Sequence, residues 1–306
     1  MKRLNLLLSA LFAACTGAAH AVIFYDSGDP SYHASAPSDP EKANLWNLQG
    51  NWVGYLGTPI AEGYFLSAAH VGGSVGDQIT FDSGPNAGSY TVTAAFPSPN
   101  SDLKILQIGG SFSQWLPMME TSPLAGDSYI AFGRGTQRGA EYQFPTGIAR
   151  GWLWGGGDAV KRWGTGQLSG TISDGSVEYA YDLFDGPGRI QLSVGDSGGG
   201  LFVLNAGVWK LAGIHYSVTG PYSETIGGAE FNAALYNSAG LFTVSGTNYL
   251  PAPVNGAFYS TSVSAEQPWI QSVITPVPEP GVLPLVTLGV GWIALRTRRN
   301  QCSLDK

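Results

Sequence analysis

Short runs of strand-forming residues, separated by glycine turns, are the feature that most restricts how this chain can fold. The chain has 43 glycines among its 306 residues, about twice the usual share. The runs are about five residues long and rich in β-branched and aromatic side chains, and no sustained helical periodicity accompanies them. We therefore predict an all-β chain, and no solenoid, because no repeat of fixed length occurs.

A break at residues 120–126 separates two sets of these runs, and the first set, of about six runs, predicts one small barrel. Residues 151–170 and 218–256 are rich in glycine or irregular in pattern, so we predict long loops there. Residues 264–274 contain a proline followed by apolar residues at helical spacing, which predicts a short C-terminal helix.

Residues 1–21 have the pattern of a secretory signal peptide. Basic residues and an apolar run precede Ala19-His20-Ala21, which has the small residues of a cleavage site. We predict that the mature chain begins at Val22. Lipidation of Cys15 is the alternative, but the leucine that usually stands three residues before such a cysteine is missing.

Residues 276–306 combine three features in order: Val277-Pro278-Glu279-Pro280, an apolar segment at 281–295, and a cluster of arginines. The apolar segment is shorter than the roughly 20 residues of a membrane span, yet the arginines suit a cytoplasmic end. This tail resembles the PEP-CTERM sorting signal of Gram-negative bacteria. The resemblance implies a transmembrane helix that anchors the protein transiently in the inner membrane, removal by an exosortase, and delivery to the cell surface or extracellular matrix.

Charge and cysteine content limit the partners of residues 22–275. This part carries 9 Lys and Arg against 20 Asp and Glu. Such an acidic surface repels nucleic acid, so we expect no nucleic-acid partner. Both cysteines, Cys15 and Cys302, lie outside it. We therefore expect neither a disulfide nor a thiolate metal site, and a chain of this length can bury a stable core without them.

Three short segments carry the residue types of nucleophilic catalysis. His70 ends one strand-like run, Asp102 begins another, and Ser197 follows Gly195 and Asp196 in a glycine-rich turn. A serine hydroxyl needs an imidazole to take its proton, and the imidazole needs a carboxylate to fix its tautomer. Glycines let backbone N–H groups face a developing oxyanion. The three segments together predict a catalytic triad.

Other residues compete for these roles. Asp77 and Asp127 also precede apolar runs, but Asp77 follows His70 by only seven residues and Asp127 suits the opening of the second set of strands. His215 lies on the run after the serine, so we assign it no general-base role. The α/β-hydrolase elbow shares the pattern Gly-x-Ser-x-Gly, but it requires a helix after the serine and a histidine downstream. Here a strand-like run follows Ser197, and the candidate histidine precedes it.

At these residues the chain resembles the chymotrypsin-like (trypsin-fold) serine proteases. The resemblance makes residues 22–275 a protease domain of two six-stranded antiparallel β-barrels with a short C-terminal helix. It implies hydrolysis of peptide bonds through an acyl-enzyme, with His70, Asp102 and Ser197 as the triad. The backbone N–H groups of Gly195 and Ser197 would form the oxyanion hole. This chemistry requires no cofactor and no metal.

The resemblance also locates the substrate pocket, which Gln191, His215 and Tyr216 would line. Trypsin has an aspartate where Gln191 stands, so we do not expect cleavage after basic residues. His215 raises the hypothesis of an acidic residue before the scissile bond. In the family the carboxylate before the nucleophile, here Asp196, forms a structural ion pair with the new N-terminus, which would be Val22.

We therefore expect an exported serine endopeptidase that acts on proteins or peptides without the specificity of trypsin. The alternative is a surface or matrix protein that keeps the protease fold as a binding module with weak or no activity. The substituted pocket is the feature that favours the alternative.

Overall fold

The computed structural model describes residues 22–145 and 147–275. Strands make up 46% of the structure and helices 6%, so the prediction of a mostly β chain is confirmed. Within these ranges no helix is long and apolar enough to cross a membrane. The predicted signal peptide at 1–21 and the predicted sorting tail at 276–306 lie outside them.

The first half of the chain contains one helix and a closed barrel. Its elements are β1 (Ile23–Phe24), α1 (Pro40–Asn47), β2 (Gly50–Trp52), β3 (Tyr55–Ala61), β4 (Tyr64–Ala68), β5 (Gln78–Phe81), β6 (Gly88–Pro97) and β7 (Leu103–Ile108). Strands β2 to β7 close in the order β2-β3-β4-β7-β6-β5, so the barrel predicted for the first set of runs is confirmed.

Apolar side chains fill the interior of this barrel. The buried cluster comprises Trp52, Phe65, Ile79, Phe81, Val92, Leu106, Ile108 and Phe112. Glycine in a strand makes room for these aromatic rings: a Cβ on Gly57 would lie 2.7 Å from the ring of Phe65. Several barrel glycines therefore serve packing as well as turns.

The second half of the chain is organised around a larger sheet. Its elements are β8 (Ser128–Gly133), β9 (Arg138–Gln143), β10 (Ala149–Trp154), β11 (Arg162–Gln167), β12 (Gly170–Asp174), β13 (Val177–Phe184), β14 (Ile190–Gln191), β15 (Gly200–Asn205), β16 (Val208–Val218), β17 (Tyr222–Ser223), β18 (Glu230–Phe231), β19 (Ala233–Leu235), β20 (Phe242–Ser245), β21 (Asn248–Pro251), β22 (Gly256–Ser262) and α2 (Gln267–Ile274). Seven strands form one antiparallel sheet in the order β11-β8-β15-β16-β22-β13-β12. Among residues 22–145 and 147–275 no pairing joins β12 to β11, so the expected second six-stranded barrel is not confirmed.

The prediction of loops at 151–170 and 218–256 is wrong. The first region contains most of β10 and all of β11, and the second contains β17 to β21. Strand β11 belongs to the seven-stranded sheet. Strands β10 and β19 join β9 in a three-stranded sheet, β19-β10-β9, and the others form a four-stranded sheet, β18-β17-β20-β21. The prediction was wrong because it took glycine as a sign of loops. A Cβ on Gly151 would lie 2.1 Å from the carbonyl oxygen of Ala234, so this glycine instead allows two strands to lie in close contact.

The two ends of the described chain are both ordered by specific contacts. Strand β1 pairs with β14, which joins the N-terminal segment to the second half of the chain. The predicted C-terminal helix is confirmed as α2, in which Ile270 is buried and the Gln267 side chain donates to the Met119 carbonyl (3.0 Å). The chain divides into two compact units after Ile270, and the barrel and the sheets all lie in the first.

Candidate active site

His70 and Asp102 meet at the ends of two neighbouring barrel strands. Ala68, the last residue of β4, pairs with Leu103, the first residue of β7. His70 Nδ1 is hydrogen-bonded to Asp102 Oδ2, and the backbone N–H of His70 donates to Asp102 Oδ1 (3.0 Å). The N–H of Ala69 donates to the Asp102 carbonyl (2.6 Å). One aspartate therefore fixes both the imidazole and the backbone that carries it.

The two rival carboxylates have local roles. Asp77 accepts a hydrogen bond from the N–H of Ser74 (2.8 Å), and Asp127 accepts one from the N–H of Leu124 (2.8 Å). Each closes a turn three residues long, which is an ordinary use of an aspartate side chain. The geometry selects Asp102 as the partner of His70.

Ser197 lies in a tight turn between β14 and β15. Gly195 and Gly198 have φ values of +99° and +77°, a conformation that glycine adopts without strain. The N–H of Gly198 donates to the His215 carbonyl (3.1 Å). The N–H groups of Gly195 and Ser197 donate to no acceptor in the part of the chain that the structure describes. These two groups are the donors predicted for the oxyanion hole.

The serine turn packs against the end of the barrel that carries His70. A Cβ on Gly198 would lie 2.5 Å from the hydroxyl of Ser67 on β4, so glycine permits this close approach. Tyr216 connects the two parts of the site: it lines the same cleft as Ser197, and its ring centre lies 6.1 Å from that of His70. The structure thus brings the three predicted triad residues to one region.

A cleft opens beside Ser197, lined by residues 192–194, 196–197 and 215–218. Two of the predicted pocket residues, His215 and Tyr216, line it. Gln191 does not belong to this lining: its side chain is 1% exposed, and it pairs with Ile23 in the sheet of β1 and β14. Its role in the pocket stays a prediction.

His215 is a buried and neutral side chain. It is 1% exposed, and its Nδ1 lies 2.8 Å from the hydroxyl of Ser260. Burial lowers the pKa of His215 to about 3, and the Phe132 carbonyl opposes that shift. At neutral pH the ring therefore carries no charge to balance a carboxylate.

Asp196 is a buried carboxylate surrounded by backbone donors. The N–H groups of Gly135 and Ser193 each donate to it at 2.7 Å, and the nitrogen of Val22 lies 3.3 Å from both of its oxygens. Burial raises the pKa of Asp196 to about 7, although these hydrogen bonds oppose the shift. The residue predicted to follow the signal peptide therefore lies beside the carboxylate predicted to be its partner.

The sequence analysis missed two residues close to the site. Tyr179 on β13 stacks on Tyr216, with ring centres 5.3 Å apart and planes 19° apart, and nothing in its spacing from the motifs indicates this contact. Lys104 lies two residues after Asp102 and contacts the turn that carries His70. A charged residue within the apolar run of β7 was a signal that could have identified it.

Within residues 22–145 and 147–275 no group of three or more His, Cys, Asp or Glu side chains is arranged to hold a metal ion. No family model matches the chain, and no curated protein matches it.

Proposed function

We propose that the protein is an exported serine endopeptidase of the chymotrypsin-like class. One observation carries the proposal: the pair of His70 and Asp102 lies where the Ser197 turn packs on the barrel, and that turn presents the unpaired N–H groups of Gly195 and Ser197. In this proposal the seven-stranded sheet is the counterpart of the second six-stranded barrel. Its substrates are proteins or peptides, and the acidic surface argues against nucleic acid.

In the proposed reaction the same groups act twice, first in forming the acyl-enzyme and then in hydrolysing it. Ser197 Oγ attacks the carbonyl carbon of the peptide bond while His70 Nε2 takes the hydroxyl proton. Asp102 stabilises the resulting imidazolium, and the N–H groups of Gly195 and Ser197 donate to the oxyanion. His70 then gives the proton to the leaving amine, which leaves an acyl-enzyme. Water, activated by His70, hydrolyses the ester and restores Ser197.

Removal of residues 1–21 would complete the Ser197 turn. Cleavage would convert the Val22 amide into an ammonium group 3.3 Å from both oxygens of Asp196. A cation there would stabilise the charged form of the buried carboxylate and lower its pKa. Asp196 precedes Ser197 directly, so this ion pair would support the turn that holds the oxyanion donors. One cleavage would then serve both export and activation.

The cleft suggests a substrate with a neutral residue before the scissile bond. Gln191 is uncharged, and the carboxylate that lines the cleft, Asp196, is committed to backbone donors and Val22. This arrangement gives no reason to prefer lysine or arginine. His215 is neutral, so an acidic substrate side chain would have no charge partner there.

The proposed destination follows from the tail at 276–306. An exosortase-type enzyme would recognise this segment while it anchors the protein in the inner membrane. The processed protein would then act at the cell surface or in the extracellular matrix.

Labelling with a fluorophosphonate probe tests the proposed function directly, because such probes react with activated serines. We expect the exported protein to form an adduct on Ser197 that Ser197→Ala abolishes. Ser89→Ala, which changes an exposed serine on β6, is the matched control and should be labelled like the wild type. A folded protein without a Ser197-dependent adduct would refute the proposal and favour the binding module.

A further inference from the structure

Lys104 is a buried cation in the apolar strand β7. Lys104 is 8% exposed, and within the described ranges no carboxylate forms an ion pair with it. Its ammonium donates instead to three backbone carbonyls, those of Gly72, Gly73 (3.3 Å) and Ala69 (3.5 Å). An ammonium has three N–H donors, so each has an acceptor here. Burial of a charge is costly, so a lysine in this place requires a reason.

The three carbonyls belong to the turn that carries His70. Ala69 precedes the histidine, and Gly72 and Gly73 follow it with φ values of +81° and +75°. Such values favour glycine. Lys104 therefore binds the backbone on both sides of His70, at the point where the chain leaves strand β4.

Asp102 and Lys104 hold this turn from the same stretch of chain. Asp102 directly precedes β7 and Lys104 is the second residue of that strand. Both side chains bind the turn at residues 69–73, so the ammonium and the carboxylate lie on the same side of this stretch of chain. Asp102 binds the imidazole and N–H of His70, and Lys104 binds the carbonyls around it. Burial lowers the pKa of Lys104, and the negative charge of Asp102 opposes that shift.

We propose that Lys104 is a positioning residue of the triad: it fixes the turn that carries His70 and holds a positive charge beside Asp102, a role that rests on the proposed function. The titratable groups that face His70 include Asp102, which directly precedes β7, and Tyr216 from β16. Tyr179 from β13 stacks on Tyr216. Lys104 adds the cation to this set.

Substitutions in the exported protein separate the two parts of this role. Lys104→Met removes the charge and the donors at similar length, and Lys104→Arg keeps both. For Lys104→Met we expect kcat to fall by about 10- to 100-fold, because small displacements of a catalytic group have effects of this size, with KM nearly unchanged. We expect the acidic limb of the kcat profile to move upward by about half a pH unit or more. Lys104→Arg should recover most of the rate and the wild-type limb.

Lys42→Met is the matched control, because Lys42 lies on α1 in a surface ion pair with Asp39 (3.8 Å). It should behave like the wild type in rate and pH profile. If Lys104→Met has the same kcat and the same acidic limb as Lys42→Met, the inference is wrong. If circular dichroism shows that Lys104→Met does not fold, Lys104→Gln, which lacks the charge and keeps an N–H donor, is judged by the same criteria.

A second readout separates this inference from the proposed function. In a Ser197→Ala background, the NMR signals of the His70 ring report its titration without catalysis. We expect Lys104→Met to move that titration to higher pH, and Lys42→Met to leave it in place. A wild type that the fluorophosphonate does not label would refute the proposed function alone, whereas an unchanged His70 titration would refute the role of Lys104.

Discussion

The two halves of the candidate site are held in different ways. His70 and Asp102 are 32 residues apart in one closed barrel, and the groups that fix them, including Lys104, belong to that barrel. The Ser197 turn contains Asp196, whose donors include, besides the nearby Ser193, Gly135, 61 residues away, and Val22, 174 residues away. The acid–base half is thus complete once the barrel has folded, whereas the nucleophile half also needs the N-terminal segment.

This difference indicates that the Ser197 turn is open to control from the N-terminus, whereas the pair of His70 and Asp102 is not. Changes in the barrel would damage a preformed pair of side chains. Changes at the N-terminus would leave that pair intact and act on the oxyanion donors and on the serine. The predictions below use this distinction, beginning with the half that depends on local contacts.

The largest effect is expected at Asp102. Asp102→Asn keeps the shape of the side chain but cannot stabilise the imidazolium of His70, so we expect kcat to fall by about 10⁴-fold. Asp77→Asn is the matched control, since Asp77 only closes a local turn, and it should keep wild-type kcat. Peptide hydrolysis under saturating substrate provides the measurement. Equal losses in both variants would contradict the assignment of the carboxylate.

A smaller effect is expected when the α-amino group of Val22 is blocked. A chain that begins at Val22 has its α-amino group beside Asp196, whereas a chain with two extra residues has an uncharged amide at Val22. We expect the extended chain to lose on the order of 10²-fold in kcat, the scale of one lost oxyanion donor. NMR of the His70 ring should be the same in both chains. A fully active extended chain would show that the nucleophile half does not require this ion pair.

The same pair of chains predicts different responses of stability to pH. In the extended chain the pKa of Asp196 is raised to about 7 from 3.8. Between pH 3.8 and pH 7, the folded chain therefore keeps a proton on Asp196 that the unfolded chain has released. The contribution of Asp196 to the free energy of unfolding is therefore fully present below about pH 4. It falls by about 4 kcal/mol as the pH rises to 7. The Val22 ammonium should remove most of this loss. Thermal unfolding at pH 5 and pH 8 provides the comparison.

The smallest effect concerns substrate choice. Because His215 is neutral, a glutamine before the scissile bond should be cleaved about 10-fold faster than a glutamate at pH 8, since the carboxylate would be buried without a cation. Peptides that differ only at this residue give the ratio of kcat/KM. A preference for glutamate would show that His215 is charged in the complex.

The sequence predicted the parts of the site that depend on local residues. His70, Asp102 and Ser197 could be identified because each lies in a short segment whose neighbours serve the same chemistry, and α2 because its apolar face has helical spacing. Strands β17 to β21 could not, because their pairing depends on partners far along the chain and their glycines resemble those of loops. Tyr179 was missed for the same reason, since its stacking on Tyr216 joins β13 to β16.

The placement of Val22 also constrains the order of events during export. Val22 is 2% exposed, and Ile23, which pairs with Gln191 of β14, is fully buried. A peptidase must bind an extended, accessible stretch of substrate, so a finished fold would hide the bond before Val22 from it. If residues 1–21 are the signal peptide that the sequence predicts, their removal must come first and folding second, and a precursor that folds too early would keep its leader.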